Sequence, residues 1–324
     1  MVNSKERSTA PWLTSEHELQ QLRDFNKKLA WLPRFRIRNR ITPWLIQALL
    51  RASQIGGTSK LRKHGLNAHT KVMGIDGATV PVRIIRPKGQ AKGVVLDFLG
   101  GGWVIGNAQM NDVFNVAIVN ACQVTVASVD YRLALSTPIE DIMQDCLSAA
   151  RGLLNDPEFA DLPVIVVGES AGAHLAAATL LALKQWPDLL QRVSGALLYY
   201  GVYDLTGTAS VRAATEQTLV LDGPGMVEAF RMLTPGLNDQ QRRQPPLSPL
   251  HGDFSGLPPA LMFAGELDPL QDDTLDIAQR WQQAAPVEVH LLPSCPHGFI
   301  HFPTTVATRV LAYSREWITA QITA

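Results

Sequence analysis

The stretch Leu162-Pro163-Val164-Ile165-Val166-Val167-Gly168-Glu169-Ser170-Ala171-Gly172 decides the reading of this chain. Its first half is a short, continuous apolar run rich in β-branched residues, the pattern of a strand buried on both faces. Its second half fits G-x-S-x-G, and the small-residue run from Ala171 to Ala178 continues as a helix. A serine on a sharp strand-to-helix turn carries its hydroxyl above the end of a sheet, and flanking glycines leave room for the neighbouring strand and helix. Five residues are a short pattern, and a tight structural turn is the other reading; the strand–turn–helix context favours a nucleophile.

Outward from this turn the same rhythm repeats. Apolar runs at 79–85, 93–99, 124–129, 163–167, 195–200, 260–263 and 287–292 predict strands, and helices fit near 110–121, 138–154, 171–185, 272–284 and 306–321. Short strands separated by helices point to an α/β fold, with a mostly parallel central sheet covered by helices on both faces. Ligands of such sheets bind beyond the carboxyl ends of the strands. Ser170, Gly100–Gly102 and Asp268 each fall just past a predicted strand end, and His297 lies in the loop after another.

Two regions stand outside this rhythm. Residues 16–31 and 41–54 have helical periodicity, the first through Leu19, Leu22, Phe25 and Leu29, the second through Trp44, Leu45, Ala48 and Leu49. Gly56-Gly57 breaks the second helix. Residues 205–247, rich in Thr, Gly, Pro, Gln and Arg with a helix near 225–232, read as an insertion over the sheet edge. With the N-terminal helices it would form a lid.

Composition narrows the class. The chain has 324 residues, 46% of them hydrophobic, enough for a large core. Its 29 basic and 29 acidic residues balance, so no net field draws it to nucleic acid or an acidic membrane. The one basic alternation, Arg34-Phe35-Arg36-Ile37-Arg38-Asn39-Arg40, reads as a solvated face, the alternative being a groove for an acidic ligand. Cys122, Cys146 and Cys295 are widely spaced and odd in number, which fits neither a disulfide framework nor a zinc knuckle and suits a reducing compartment. The first residues carry no apolar signal core, and no run approaches the ~18 apolar residues of a membrane span. The expectation is a soluble, cytoplasmic protein.

A serine hydroxyl is a weak nucleophile until a base takes its proton, and a histidine held by a carboxylate is the usual base. Asp268 lies in Gly265-Glu266-Leu267-Asp268-Pro269-Leu270, after the run 260–263. A helix N-cap is its other reading, and Glu266 and Asp272 are its rivals. His297 lies in Pro296-His297-Gly298-Phe299, a loop rather than a core helix. His301, four residues on, could pair with it around a metal. Neither H-E-x-x-H nor a third ligand accompanies them, so no metal is expected. His174, on the helix after Ser170, reads as packed or hydrogen-bonded locally.

Acyl transfer also needs donors aimed at a developing oxyanion, and backbone amides of a glycine loop supply them. Leu99-Gly100-Gly101-Gly102-Trp103 follows the run 93–99, where that loop belongs. Gly106 falls one place too late for G-x-G-x-x-G, and no G-K-S/T follows for a phosphate loop. The expected donors are the amides of Gly101, Gly102 and Ala171.

With these residues in place the chain resembles the hormone-sensitive-lipase-like branch of the α/β-hydrolase superfamily, the bacterial family IV esterases, over about residues 80–320. Asp130-Tyr131-Arg132-Leu133-Ala134 is similar to that family's segment after its fourth strand. Ser248-Pro249-Leu250 with Gly256-Leu257-Pro258-Pro259-Ala260 is similar to its approach to the acid strand. Asp268-Pro269-Leu270 with Asp272-Asp273 is similar to its D-P-L-x-D-D/E box, and His297-Gly298-Phe299 to its H-G-F.

The resemblance implies an α/β-hydrolase fold with a helical cap segment over 1–60, a catalytic domain over 61–324 and a cap insertion at 205–247. It implies a small-molecule ester as substrate, of short or medium acyl chain, cleaved without cofactor through an acyl-serine. A homodimer is implied by resemblance alone.

The chain departs from the family where Leu99 replaces the first residue of H-G-G-G, so the glycine loop must be held by apolar packing. That departure suggests a specialised, bulky ester. Glu169 stands where aspartate is commoner, and Leu135-Ser136-Thr137 replaces a proline-containing stretch. An amidase or peptidase on the same residues, and a non-catalytic ligand-binding protein of this fold, are the alternatives.

Overall fold

The strands expected from the apolar runs hydrogen-bond into one sheet. The computed structural model describes residues 15–36, 41–63, 65–75 and 78–323. Its strands are β1 (Asn67–Met73), β2 (Val80–Arg86), β3 (Val94–Phe98), β4 (Thr125–Val129), β5 (Val164–Glu169), β6 (Val193–Tyr199), β7 (Ala260–Gly265) and β8 (Val287–Leu292). Their order across the sheet is β1-β2-β4-β3-β5-β6-β7-β8. From β4 to β8 neighbours run parallel, while β2 pairs antiparallel with both β1 and β4.

The N-terminal helices are α1 (Glu16–Leu29), α2 (Ile41–Ser53) and α3 (Gly57–Lys63). Between strands run α4 (Asp112–Cys122), α5 (Ile139–Leu154), α6 (Ala171–Leu183) and α7 (Pro187–Leu190). After β6 come α8 (Ala209–Ala213), α9 (Met226–Leu233) and α10 (Asp239–Arg242), then α11 (Gln271–Trp281) and α12 (Thr305–Thr323).

Side-chain alternation explains the layers. On β3 and β5, Val94, Leu96, Val164 and Val166 enter one apolar cluster with α5, α6 and α11. Val95, Ile165 and Val167 enter a second cluster with α4 and α12 on the opposite face. Both faces are therefore dry, which is why these strands, Asp97 and Glu169 apart, are apolar rather than alternating.

The structure departs from the sequence reading in three places. Strand β1 was not expected, because Asn67-Ala68-His69-Thr70-Lys71-Val72-Met73 is mixed in character and half exposed; its backbone pairing with β2 makes it a strand. The second helix does stop before Gly56-Gly57, but the chain resumes from Gly57 as a further helix, α3, that was not expected. Helix α2 forms as expected but with its apolar stripe outward. Trp44, Leu45 and Leu49 are 62%, 51% and 72% exposed, while Gln47 is buried. The reason is polar: the Gln47 carboxamide donates to the Gly106 carbonyl and accepts from the Gly106 amide, both at 2.8 Å. Two hydrogen bonds to a buried backbone set the rotation of the helix against the pull of the stripe.

Helix α1 buries Leu22 and Leu29 as its spacing requires, and its Asn26 donates to the Ser294 carbonyl at 2.7 Å. In the basic stretch, Arg34 donates to the Leu29 and Leu32 carbonyls and Arg36 pairs with Asp222 at 3.3 Å. Residues 37–40 of that stretch lie outside the described residues. Among the described residues no helix is long and apolar enough to cross a membrane.

Candidate active site

Three strand ends converge on one point. Strand β5 ends at Glu169, and Ser170 takes φ 53° and ψ −121° before α6 begins at Ala171. A non-glycine residue at positive φ costs about 1–3 kcal/mol and persists only where its surroundings enforce it. Here the Ser170 amide donates to the Tyr199 carbonyl at 2.9 Å. The turn is tight because α6 starts almost in contact with β3: a Cβ at Gly172 would stand 1.9 Å from the Phe98 carbonyl oxygen. Only glycine permits that approach.

The Ser170 hydroxyl lies 2.9 Å from Nε2 of His297, and Nδ1 of His297 lies 2.8 Å from the Asp268 carboxylate. The other oxygen of Asp268 accepts from the Leu270 amide at 2.9 Å, which fixes the carboxylate plane. Asp268 and His297 are buried and Ser170 is partly open. The rivals of Asp268 face elsewhere: Glu266 accepts from the Ser294 amide and Asp272 from the Ser210 amide. A hydroxyl, an imidazole and a buried carboxylate in one hydrogen-bonded line can move a proton from the first to the second and stabilise the resulting charge.

Beside this line runs the glycine loop. Gly101 holds φ 106°, where a side chain would strike the Ile105 carbonyl, and Gly102 and Trp103 also have positive φ. Among the described residues the amides of Gly101, Gly102 and Ala171 donate to no backbone acceptor. Gly101 and Gly102 line the same cavity as Ser170 and His297, and Ala171 directly follows Ser170.

Leu99 is buried in the core with Trp103, Val104 and Tyr131, so apolar packing does hold the root of this loop. Polar ties that the sequence reading missed add to it. The Tyr131 hydroxyl donates to the Leu99 carbonyl at 2.7 Å. The Trp103 indole donates to Nδ1 of His174 at 3.3 Å, and Nε2 of His174 donates to the Leu247 carbonyl at 2.9 Å. Complete burial pushes His174 down to about 4, so it stays a neutral acceptor for Trp103.

Glu169 sits beneath Ser170, and burial alone would raise its pKa. The charge and hydrogen bond of His301, with donors from Asn111 and Tyr200, instead hold it below the usual carboxylate range. The distances are 2.5 Å to His301, 2.9 Å to Asn111 and 2.9 Å to the Tyr200 hydroxyl. Burial works against charge on His301 too, yet Glu169 holds it above its ordinary value. His301 thus pairs with the Glu169 carboxylate. Among the described residues no cluster of three or more candidate ligands could hold a metal ion.

The cavity above Ser170 encloses about 590 Å³. Its floor is the glycine loop, Ser170 and His297; its walls are Phe35, Ile105, Met110, Val202 and Leu270, with Leu221, Met226, Phe230 and Met232 from the 205–247 stretch. Phe35 is fixed against that stretch, its amide donating to Val220 and its carbonyl accepting from Asp222. Such a cavity admits a largely apolar small molecule with one polar group over Ser170.

Comparison with known proteins agrees with this geometry. A family model described as alpha/beta hydrolase fold matches residues 95–301. Carboxylesterase NlhH of Mycobacterium tuberculosis is 30% identical over 264 residues, spanning 77% of this chain and 81% of the relative. The crystal structure of esterase LipW from Mycobacterium marinum superimposes with a TM-score of 0.80 at 25% identity, covering 92% of this chain and 95% of that one. An esterase from the bacterial hormone-sensitive lipase family gives a TM-score of 0.71 at 26% identity, covering 96% of this chain and all 100% of that one. On these grounds the chain belongs to the α/β-hydrolase fold family, among the carboxylesterases of its hormone-sensitive-lipase-like branch.

Proposed function

We propose that this carboxylesterase works through an acyl-Ser170 intermediate, with His297 as base and Asp268 as the residue that orients it. The observation that carries the reading is the unbroken line Ser170–His297–Asp268, at 2.9 and 2.8 Å. His297 takes the hydroxyl proton as Ser170 attacks the ester carbonyl. The tetrahedral oxyanion is held by the amides of Gly101, Gly102 and Ala171, and loss of one such donor typically costs about 10²–10³ in rate. His297 then gives its proton to the leaving alcohol. A water molecule, deprotonated by His297 in turn, releases the acid and restores the serine.

The N-terminal segment 1–60 and the insertion 205–247 act in this reading as the cap over the catalytic domain 61–324, supported by the cavity walls they supply. A 590 Å³ cavity with apolar walls suits a bulky ester as well as short or medium acyl chains. Three buried free cysteines support a cytoplasmic setting, and a homodimer rests on family resemblance.

The test is Ser170→Ala with an aryl ester and a fluorophosphonate probe. Wild-type protein is expected to show turnover and a covalent label on Ser170, and the variant neither, with the fold retained. Full activity in the variant would overturn the assignment. Paired ester and amide substrates of one acyl group read the leaving-group preference, and fractionation and sedimentation read compartment and oligomeric state.

A further inference from the structure

Glu169 and His301 line the floor of the same cavity, next to the reacting residues. Glu169 immediately precedes Ser170, and His301 follows His297 by four residues. Their 2.5 Å contact therefore joins the turn that carries the hydroxyl to the loop that carries the imidazole, 132 residues apart in sequence.

Tyr200 makes the same connection a second time. Its hydroxyl donates to the carboxylate oxygen of Glu169 that also accepts from His301. Its ring meets the His297 ring edge-on at 4.8 Å and the Phe299 ring at 5.4 Å. Asn111 binds the remaining oxygen and completes the shell of Glu169. A fully satisfied carboxylate in a dry setting is rigid, because every departure from its geometry leaves a buried charge short of a donor.

The loop that carries His297 has need of such a brace. Gly298, with φ 73°, follows His297, and only a single 3-10 turn, Phe299–His301, stands between it and α12 at Thr305. We infer that His301 is a positioning residue for the esterase reaction: paired with Glu169, it sets where His297 stands over Ser170. This rests on the Ser170–His297 assignment proposed above.

The charged groups facing His301 are Glu169 from the serine turn and Asp97 from β3, both of which favour its protonated form. Loss of the His301 proton removes the attraction between two opposite charges and leaves a hydrogen bond assisted by the carboxylate charge alone. As pH rises past the raised pKa of His301 the brace slackens without parting, because Nε2–H still donates. The rate should then step down to a lower plateau rather than vanish.

The experiment measures kcat and KM on an aryl ester from neutral to alkaline pH for wild type, His301→Gln and His301→Leu. At neutral pH, His301→Leu is expected to lower kcat by about tenfold to a hundredfold, the scale of a misplaced catalytic group, with KM changed by less than about threefold. His301→Gln, which keeps an N–H donor without the charge, should fall between the two and lose the step that accompanies rising pH. His301 is half exposed, so both variants should fold; circular dichroism confirms it.

A kcat in His301→Leu within twofold of wild type, or a step with rising pH unchanged in His301→Gln, would overturn the brace. Failure of the underlying assignment is seen separately, as absence of fluorophosphonate label on Ser170 in wild-type protein.

Discussion

The hydroxyl of Tyr131 donates a 2.7 Å hydrogen bond to the Leu99 carbonyl, at the root of the loop whose glycines line the cavity. Both residues are buried. Removing only the hydroxyl, in Tyr131→Phe, leaves that carbonyl short of its donor at a cost of about 1–3 kcal/mol. The loop should loosen, and kcat should fall more than KM rises. Steady-state kinetics beside a thermal melt check this; unchanged kcat with a lowered Tm would confine Tyr131 to stability.

Asp268→Asn tests the orientation of His297. The side-chain amide introduced by this change would present a donor where Nδ1–H now points, favouring the tautomer with its proton on Nε2, which cannot accept from Ser170. The corresponding change in the serine-protease template lowers kcat by about 10⁴ with geometry intact, and a loss of that order is expected here. A loss below tenfold would speak against Asp268.

Gly172→Ala probes the closest backbone approach in the site. The added methyl would stand 1.9 Å from the Phe98 carbonyl oxygen, and neither backbone can swing away as a side chain could. Overpacking of this kind costs about 1–3 kcal/mol and sometimes more. Loss of soluble protein or a Tm lowered by several degrees is expected, and a Tm equal to wild type would contradict the close approach.

Asp97 gives stability a pH dependence. Complete burial pushes it up to about 6, against hydrogen bonds from Asn115 and Ser128. The folded state holds this proton more tightly than the unfolded chain does. Its contribution is therefore full below the unfolded value, near pH 4, and is lost as pH rises through about 6. Urea midpoints at pH 5 and 7.5 should differ less in Asp97→Asn than in wild type; equal differences would remove Asp97 as the source.

What could be read in the sequence follows from locality. Strands β3 to β7 are legible because burial on both faces demands largely apolar runs, β2 and β8 through their β-branched and aliphatic residues, and β1 is not because its strand character comes from pairing with β2. Ser170, Asp268 and His297 are legible because each sits in a turn whose glycines and prolines are its neighbours in sequence. The supporting contacts are not. Gln47 reaches Gly106 across 59 residues and Trp103 reaches His174 across 71, and no periodicity or motif encodes such pairs. The outward stripe of α2 has the same cause: a polar partner remote in sequence decided the rotation of the helix. Gln47 did leave one trace, as a polar residue beside the apolar stripe of a predicted helix.

Leucine at position 99 has a consequence for how the site responds to its surroundings. From Leu99 to Gly106 the loop contains no ionisable side chain. Its grip comes from packing, from a phenol held neutral by burial, and from amides. Above the acid range where His174, pushed down to about 4, would gain a proton and release Trp103, the glycine loop is thus chemically silent to proton concentration. Acidity reaches this molecule through imidazoles and carboxylates outside the loop, while the loop itself carries no group that changes charge.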